Sequence, residues 1–206
     1  MNYDAADRAI RDMNKRNLRA FDRLKTLKFD EANILSEVTK VYRESRRLAI
    51  KRYLAIAILS YELALIECGY DRERAKKDAD DDIMEDWILD MLEDYDEVTL
   101  YRFDEETERK AARLAEAIIA SHNKAEEVDK ALRLWSLQVA QFADNTVVRA
   151  TKDAYAEAGV EKVEWVAEKD DRVCSTCDKR DGRIYALDNV PPIPHFRCRC
   201  TLVPVL

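Results

Sequence analysis

The sequence predicts a mainly α protein: a body of long helices, elongated or bundled, followed by a small C-terminal module of α+β, β-hairpin character. Three observations carry this reading. No proline occurs before Pro191, and only Gly69 and Gly159 interrupt the first 160 residues, so long helices can run there without punctuation. Apolar residues recur at intervals of three and four over that stretch. After Gly159 the period changes, and all four prolines (Pro191, Pro192, Pro194, Pro204) fall in the last 16 residues. The boundary is therefore placed at Gly159, with a helical body over 1–159 and the module over 160–206.

The helices follow in order. Ala6, Ile10, Met13, Leu18, Phe21 and Leu24 mark the apolar face of a first helix among many charges. Asp30 is a candidate cap for a second, on which Ile34, Leu35, Val38, Val41 and Tyr42 repeat at helical spacing. This helix is expected to stop at Gly69, and its half over 48–66, apolar nearly all round, is the expected central buried helix. An acidic run at 78–82 then precedes a shorter helix bearing Ile83, Trp87, Ile88, Met91 and Leu92. That run lacks the alternating spacing and distal Glu of a calcium loop and reads as a solvated turn. A break at 95–103 leads to another helix, with Asp104 or Thr107 as its cap and Leu114, Ala117, Ile118 and Ile119 on its apolar side. Asn123 begins the last long helix, which carries Val128, Leu132, Trp135, Val139 and Phe142 and continues through Val147, Val148 and Tyr155 to Gly159.

Charge excludes several classes of function. The net charge is −7, and residues 161–206 hold eight basic and eight acidic side chains, so the body carries the whole excess. An acidic body argues against generic binding of the phosphate backbone. The charge-free run 53–61, nine residues, is far short of the roughly 20 needed to span a bilayer. The N-terminus has no basic segment followed by an apolar run, so no signal peptide and a cytoplasmic site of action are expected. The glycines are too few for a phosphate-binding loop, and no Ser-His-Asp arrangement is present. His122 reads as a helix-end residue, and Cys68 as a small core hydrophobe.

The module carries the chemistry. Val163, Trp165 and Ala167 alternate with charged or polar residues except at Val166, as a short strand does. A second strand at Arg183-Ile184-Tyr185 follows a turn at Asp181-Gly182. Between and beyond them lie Cys174, Cys177, His195, Cys198 and Cys200, spaced C-x2-C-x17-H-x2-C-x-C. A C-x2-C turn sets two thiolates on one side of a tight knuckle, half of a tetrahedral zinc site. Cys198 and Cys200, two apart, share one side if they lie on a strand. Five candidate ligands thus compete for four positions. Cys174 and Cys177 are members of any set, and His195, Cys198 and Cys200 compete for the other two. Disulfides and a redox pair fit a cytoplasmic chain without a strand-turn-helix setting less well. The surplus of ligands points to a closed, structural Zn2+ site, a zinc knuckle, rather than to catalysis. Coordination would supply folding free energy that so apolar-poor a segment lacks.

These residues also resemble a known family. Trp165, Asp171-Arg172-Val173-Cys174-x-x-Cys177, Asp181-Gly182-Arg183-Ile184-Tyr185 and His195-x-x-Cys198-Arg199-Cys200 occur in the order of the C-terminal signature of the phage head morphogenesis family, the Mu protein F-like minor capsid proteins. Ala158-Gly159-Val160 before the first strand fits as well, and the detailed likeness covers about residues 157–204. The resemblance implies a non-enzymatic minor head protein of a tailed phage or prophage, which assists head assembly or DNA delivery. Its implied partners are the portal protein and capsid or scaffold subunits. Its implied location is the virion head or procapsid, and the host cytoplasm during assembly. Some relatives carry an appended toxin or protease domain, and none is expected here, since the chain ends at Leu206. The alternative is a nucleic-acid-binding zinc module on a helical oligomerisation arm. Arg172, Lys179, Arg180, Arg183, Arg197 and Arg199 would form its basic face, against which stands pairing of these side chains with the eight local acids.

Overall fold

A computed structural model of the protein describes residues 3–28, 33–93, 103–169, 173–195 and 198–206. Six helices come first: α1 (Tyr3–Thr26), α2 (Ile34–Glu67), α3 (Arg72–Asp78), α4 (Asp81–Glu93), α5 (Phe103–Ala120) and α6 (Lys124–Glu157). The module follows as β1 (Lys162–Val166), the short helix α7 (Ser175–Arg180), β2 (Arg183–Ala186), a 3-10 turn (Leu187–Asn189) and β3 (Thr201–Pro204). The expected mainly α body with a small C-terminal α/β module is what the chain forms. No helix among the described residues is long and apolar enough to cross a membrane.

Helices α2 and α6 are each 34 residues and form the axis of the bundle. They run parallel: Trp135 Nε1 donates to Ser45 Oγ, Tyr53 Oη to the Val139 carbonyl, and Tyr155 Oη to Glu67. Helix α1 lies antiparallel to both, tied by Arg52–Asp12 at 2.7 Å to α2 and by Lys25–Asp129 at 2.6 Å to α6. As the apolar run over 48–66 predicts, α2 is the central helix, in contact with α1, α3, α4, α5 and α6. Phe21, Tyr42 and Trp135 stack edge to face along the core, with successive ring centroids 5.1 Å apart.

The first helical face is shifted from its predicted set. Leu18 is 47% exposed, and Asn17 takes the core position, because the repeat Ala6, Ile10, Met13, Asn17, Phe21, Leu24 keeps one stripe at spacings of four and three. Asn17 Oδ1 accepts there from the Ser45 hydroxyl at 2.6 Å, and that hydroxyl itself accepts from the Trp135 indole. Leu35 and Ile119 likewise point outward, while Val38, Val41, Tyr42, Leu114 and Ile118 are buried as expected. Helix α5 starts at Phe103, so Asp104 and Thr107 lie inside it rather than before it. The acidic run 78–82 closes α3, a helix absent from the sequence reading, and opens α4. Asp71 caps α3 by accepting from the Arg74 amide at 3.0 Å. Asp30, residues 95–102, Asp171, Arg172, Phe196 and Arg197 lie outside the described residues, as do the side chains of Ile83 and Asp104.

Both long helices end as the glycines foretell. Gly69 and Gly159 adopt φ of 92° and 76°, which a residue with a Cβ reaches only under strain. The amides of Gly69 and Tyr70 bond the carbonyls of Ile66 and Leu65, and those of Gly159 and Val160 bond Ala156 and Tyr155. This double closure satisfies the orphan carbonyls and turns Tyr70 and Val160 back onto their helices. The turned ends build a second apolar cluster. Ala64, Leu65, Ala75, Ala154 and Tyr155 of the body join Val160, Val163, Trp165, Leu187, Ile193 and Leu202 of the module. The three strands form an antiparallel sheet in the order β2-β1-β3, with Trp165 opposite Arg183 on one side and Leu202 on the other.

Two substitutions check this packing by thermal or urea unfolding. Ser45→Ala leaves the Trp135 indole and Asn17 without their shared partner and is expected to cost about 1–3 kcal/mol. Gly159→Ala meets no atom within 4 Å, so its expected cost, about 1 kcal/mol, is backbone strain alone.

Candidate metal centre

The loop between β1 and β2 positions the first two thiols. Its ends are clamped together: the Gly182 amide donates to the Trp165 carbonyl at 2.8 Å, and the Ala167 amide to Asp181 Oδ1 at 2.9 Å. That bond, with Lys169 Nζ at 3.4 Å, holds the Asp181 carboxyl below the usual range. Asp181-Gly182 forms the expected turn before β2 and also clamps the neck of the loop. Within the loop the C-x2-C segment forms a helical turn instead of a bare knuckle. Cys174 stands at the N-cap of α7, and the Cys177 amide donates to its sulfur at 3.3 Å. The amide bond to the sulfur brings the Cys174 thiol down to about 7.

The second ligand segment approaches from the Pro-rich connection. Arg180 reaches from the end of α7 to the Pro192 carbonyl at 2.8 Å while its guanidinium lies 4.9 Å from the centre of the Trp165 ring. This pins the approach to His195. Residues 198–200 precede β3 rather than lie on it, yet the thiols of Cys198 and Cys200 converge on that of Cys177. Tyr3, at the start of α1, donates its hydroxyl to the Cys200 carbonyl at 3.0 Å. Tyr155 lies 3.1 Å from the Leu202 carbonyl two residues further on. Helices α1 and α6 thus fix the position of the last two cysteines.

All five sequence-predicted residues are brought together, in two overlapping triads. The ligand atoms of Cys174, Cys177 and His195 lie within 4.8 Å of one another, and so do those of Cys177, Cys198 and Cys200. Cys177 belongs to both. Its sulfur is 3.4 Å from His195 Nε2 and 3.6 Å from Cys198 Sγ. In a tetrahedral site with metal–sulfur bonds of about 2.3 Å and metal–nitrogen bonds of about 2.0–2.1 Å, ligand–ligand edges are roughly 3.5–3.8 Å. The observed distances match those edges.

The donor set also fits a cation by its electrostatics. Cys177, Cys198 and Cys200 are buried. Burial pushes the Cys177 thiol well up, with neighbouring thiols adding to it, and burial raises Cys198 to about 11. Several thiolates cannot share this pocket without a compensating positive charge, and a divalent ion supplies one. Neutral imidazole and soft sulfur donors suit zinc. Cys68 and His122 belong to neither triad. Sequence reasoning missed Tyr3, Tyr155, Arg180 and the clamp at Asp181. Only Asp181 left a signal, in its Asp-Gly pair, and Tyr3 lies 197 residues from the carbonyl it holds.

Because Cys177 alone sits in both triads, Cys177→Ser is expected to abolish metal retention. Cys198→Ser and Cys200→Ser, each leaving the other near Cys177, should each weaken it less. Elemental analysis of the purified variants reads this order, and equal losses in all three would contradict it. Metal entry must also expel the protons that burial keeps on Cys177 and Cys198. Loading is therefore expected to release protons and to weaken as pH falls, which titration in a dilute buffer with a pH indicator measures.

Comparison with known proteins adds a family to this geometry. Neither a curated protein nor a solved structure matches the chain. Residues 111–203, from within α5 through β3 and including every candidate ligand, match the family described as Phage Mu protein F like protein. Over this span the chain is similar to the Mu protein F-like proteins of phage heads.

Proposed function

We propose that the protein is a minor head protein of a tailed phage or prophage, non-enzymatic, which docks on the portal or on capsid or scaffold subunits during head assembly. The observation that carries this reading is the family match over 111–203, which includes the metal-ligand cluster and the helix on which it is mounted. The cluster favours a structural role. Five soft donors compete for four positions, no carboxylate belongs to either triad, and three of the thiols are buried. A catalytic zinc would need an open position and a base.

In this reading Zn2+ is held by Cys174, Cys177 and two of His195, Cys198 and Cys200, and it makes the C-terminal module a rigid docking piece. The apolar cluster that the module shares with α2, α3 and α6 supports such rigidity, since the module cannot tilt without exposing Trp165, Val163 and Leu202. The bundle, in turn, presents the long outer faces through which a partner would be bound.

Two measurements test the role and the metal separately. The protein is expected to co-sediment with portal protein or with procapsids assembled in its presence, and its absence from both immature and mature particles would overturn the assembly role. Removal of metal by a strong chelator is expected to lose amide protection beyond about residue 165 while the helices stay protected. Unchanged protection of the module would refute the structural role of the ion.

A further inference from the structure

The net charge of −7 conceals a strong segregation. Residues 1–52 carry fourteen Lys and Arg against eight Asp and Glu, a net +6, whereas residues 53–160 stand at −13. The fold gathers the positive part on one surface. Two adjoining shallow grooves lie here, one between antiparallel α1 and α2 and the other along α2 alone. One is flanked by Arg16, Arg19 and Arg23, the other by Lys40, Arg43 and Arg47. They meet at Glu44, which accepts from Arg23 at 2.8 Å. Along α2 this surface lies about 30 Å from the cysteine cluster, from a rise of about 1.5 Å per residue between Ser45 and Glu67.

We propose that this face binds the phosphodiester backbone of nucleic acid, a role that neither the assembly reading nor the metal centre requires. Three features favour a regular polyanion over an acidic protein partner. Five of the six cations are arginines, whose planar fork takes two phosphate oxygens at once. They repeat at about one turn along each of two neighbouring helices, a spacing suited to evenly placed charges rather than to a single peptide. The grooves offer Ser36 and Thr39 beside the cations but are lined by no aromatic side chain, the anchor that protein interfaces commonly use. The ion pairs now present, Arg16–Asp12, Arg23–Glu44 and Arg43–Glu108, join side chains that are mostly a third or more exposed. Such pairs are weak and exchange readily for a phosphate.

The test is fluorescence anisotropy of the full chain with a labelled DNA duplex of about 30 base pairs, titrated over about 50–200 mM NaCl. With about five phosphates engaged, log affinity should fall with log salt at a slope of about −4 to −5. The triple substitution Arg19→Glu, Lys40→Glu, Arg47→Glu leaves the Arg23–Glu44 and Arg43–Glu108 pairs in place. It should weaken binding at least about tenfold and flatten the slope by roughly three. The milder triple Arg19→Gln, Lys40→Gln, Arg47→Gln, with a melting curve like that of the parent chain, should lose affinity in the same direction. Lys179→Glu with Arg183→Glu on the module should leave binding unchanged. The proposal is overturned if the parent chain shows no salt-dependent binding or if only the module variant loses it. It is equally overturned if polyglutamate displaces the duplex as effectively as unlabelled DNA does.

Discussion

The parallel packing of α2 and α6 is the constraint on which the rest of the molecule depends. Two helices of equal length, each about 50 Å long at 1.5 Å per residue, bring their C-terminal ends to the same level. A parallel pair cannot be joined by a short turn, so α3, α4 and α5 are the return connection. They pack on α2 while closing the distance. Helix α1, antiparallel to both axial helices, fills the remaining side and brings Tyr3 to the level where α2 and α6 end. That level is where the module sits. Its sheet rests on Ala64, Leu65, Ala154 and Tyr155, and its final strand is held through the Tyr155 hydroxyl.

The module relies on two sources of stability because neither suffices. The segment beyond Gly159 has few large apolar side chains, and those it has, Val163, Trp165, Leu187, Ile193 and Leu202, share one cluster with the body. Burial therefore anchors the sheet but leaves the long β1–β2 loop and the Pro-rich connection to be organised by polar means. Asp181 and Gly182 close the neck of that loop, and Arg180 ties its helix to Pro192. What remains is a group of sulfurs too crowded to ionise together, and a bound cation would resolve that crowding. Anchoring and clamping thus act at successive distances from the helical body, and coordination would act beyond them.

Much of this was legible in the residues. Long runs without glycine or proline foretold α2 and α6, and Gly69 and Gly159 marked their ends because a left-handed residue there closes the helix at little strain. Asn123 was recognisable as the start of the last long helix, and it caps that helix by accepting from the Glu126 amide. Errors arose where apolar character and burial part company. Leu18, Leu35 and Ile119 are apolar yet exposed, and Asn17 is polar yet buried, because a helix face is chosen by its neighbours and not by each residue's own preference. The short helix α3 was missed since its seven residues carry no apolar stripe. The positive surface on α1 and α2 was hidden by summing charge over the whole body.

The sequence by itself determined the helical class, the end of α6 at Gly159 and the identity of the five candidate ligands. These depend on local rules: backbone freedom, periodicity and the donor chemistry of Cys and His. Only the tertiary structure decided that Cys177 stands in both ligand triads, that Tyr3 and Tyr155 hold the last cysteines in place, and that the cations of α1 and α2 share one face. Each of these joins residues from distant parts of the chain, and such contacts are fixed by how whole helices pack, which no local spacing encodes.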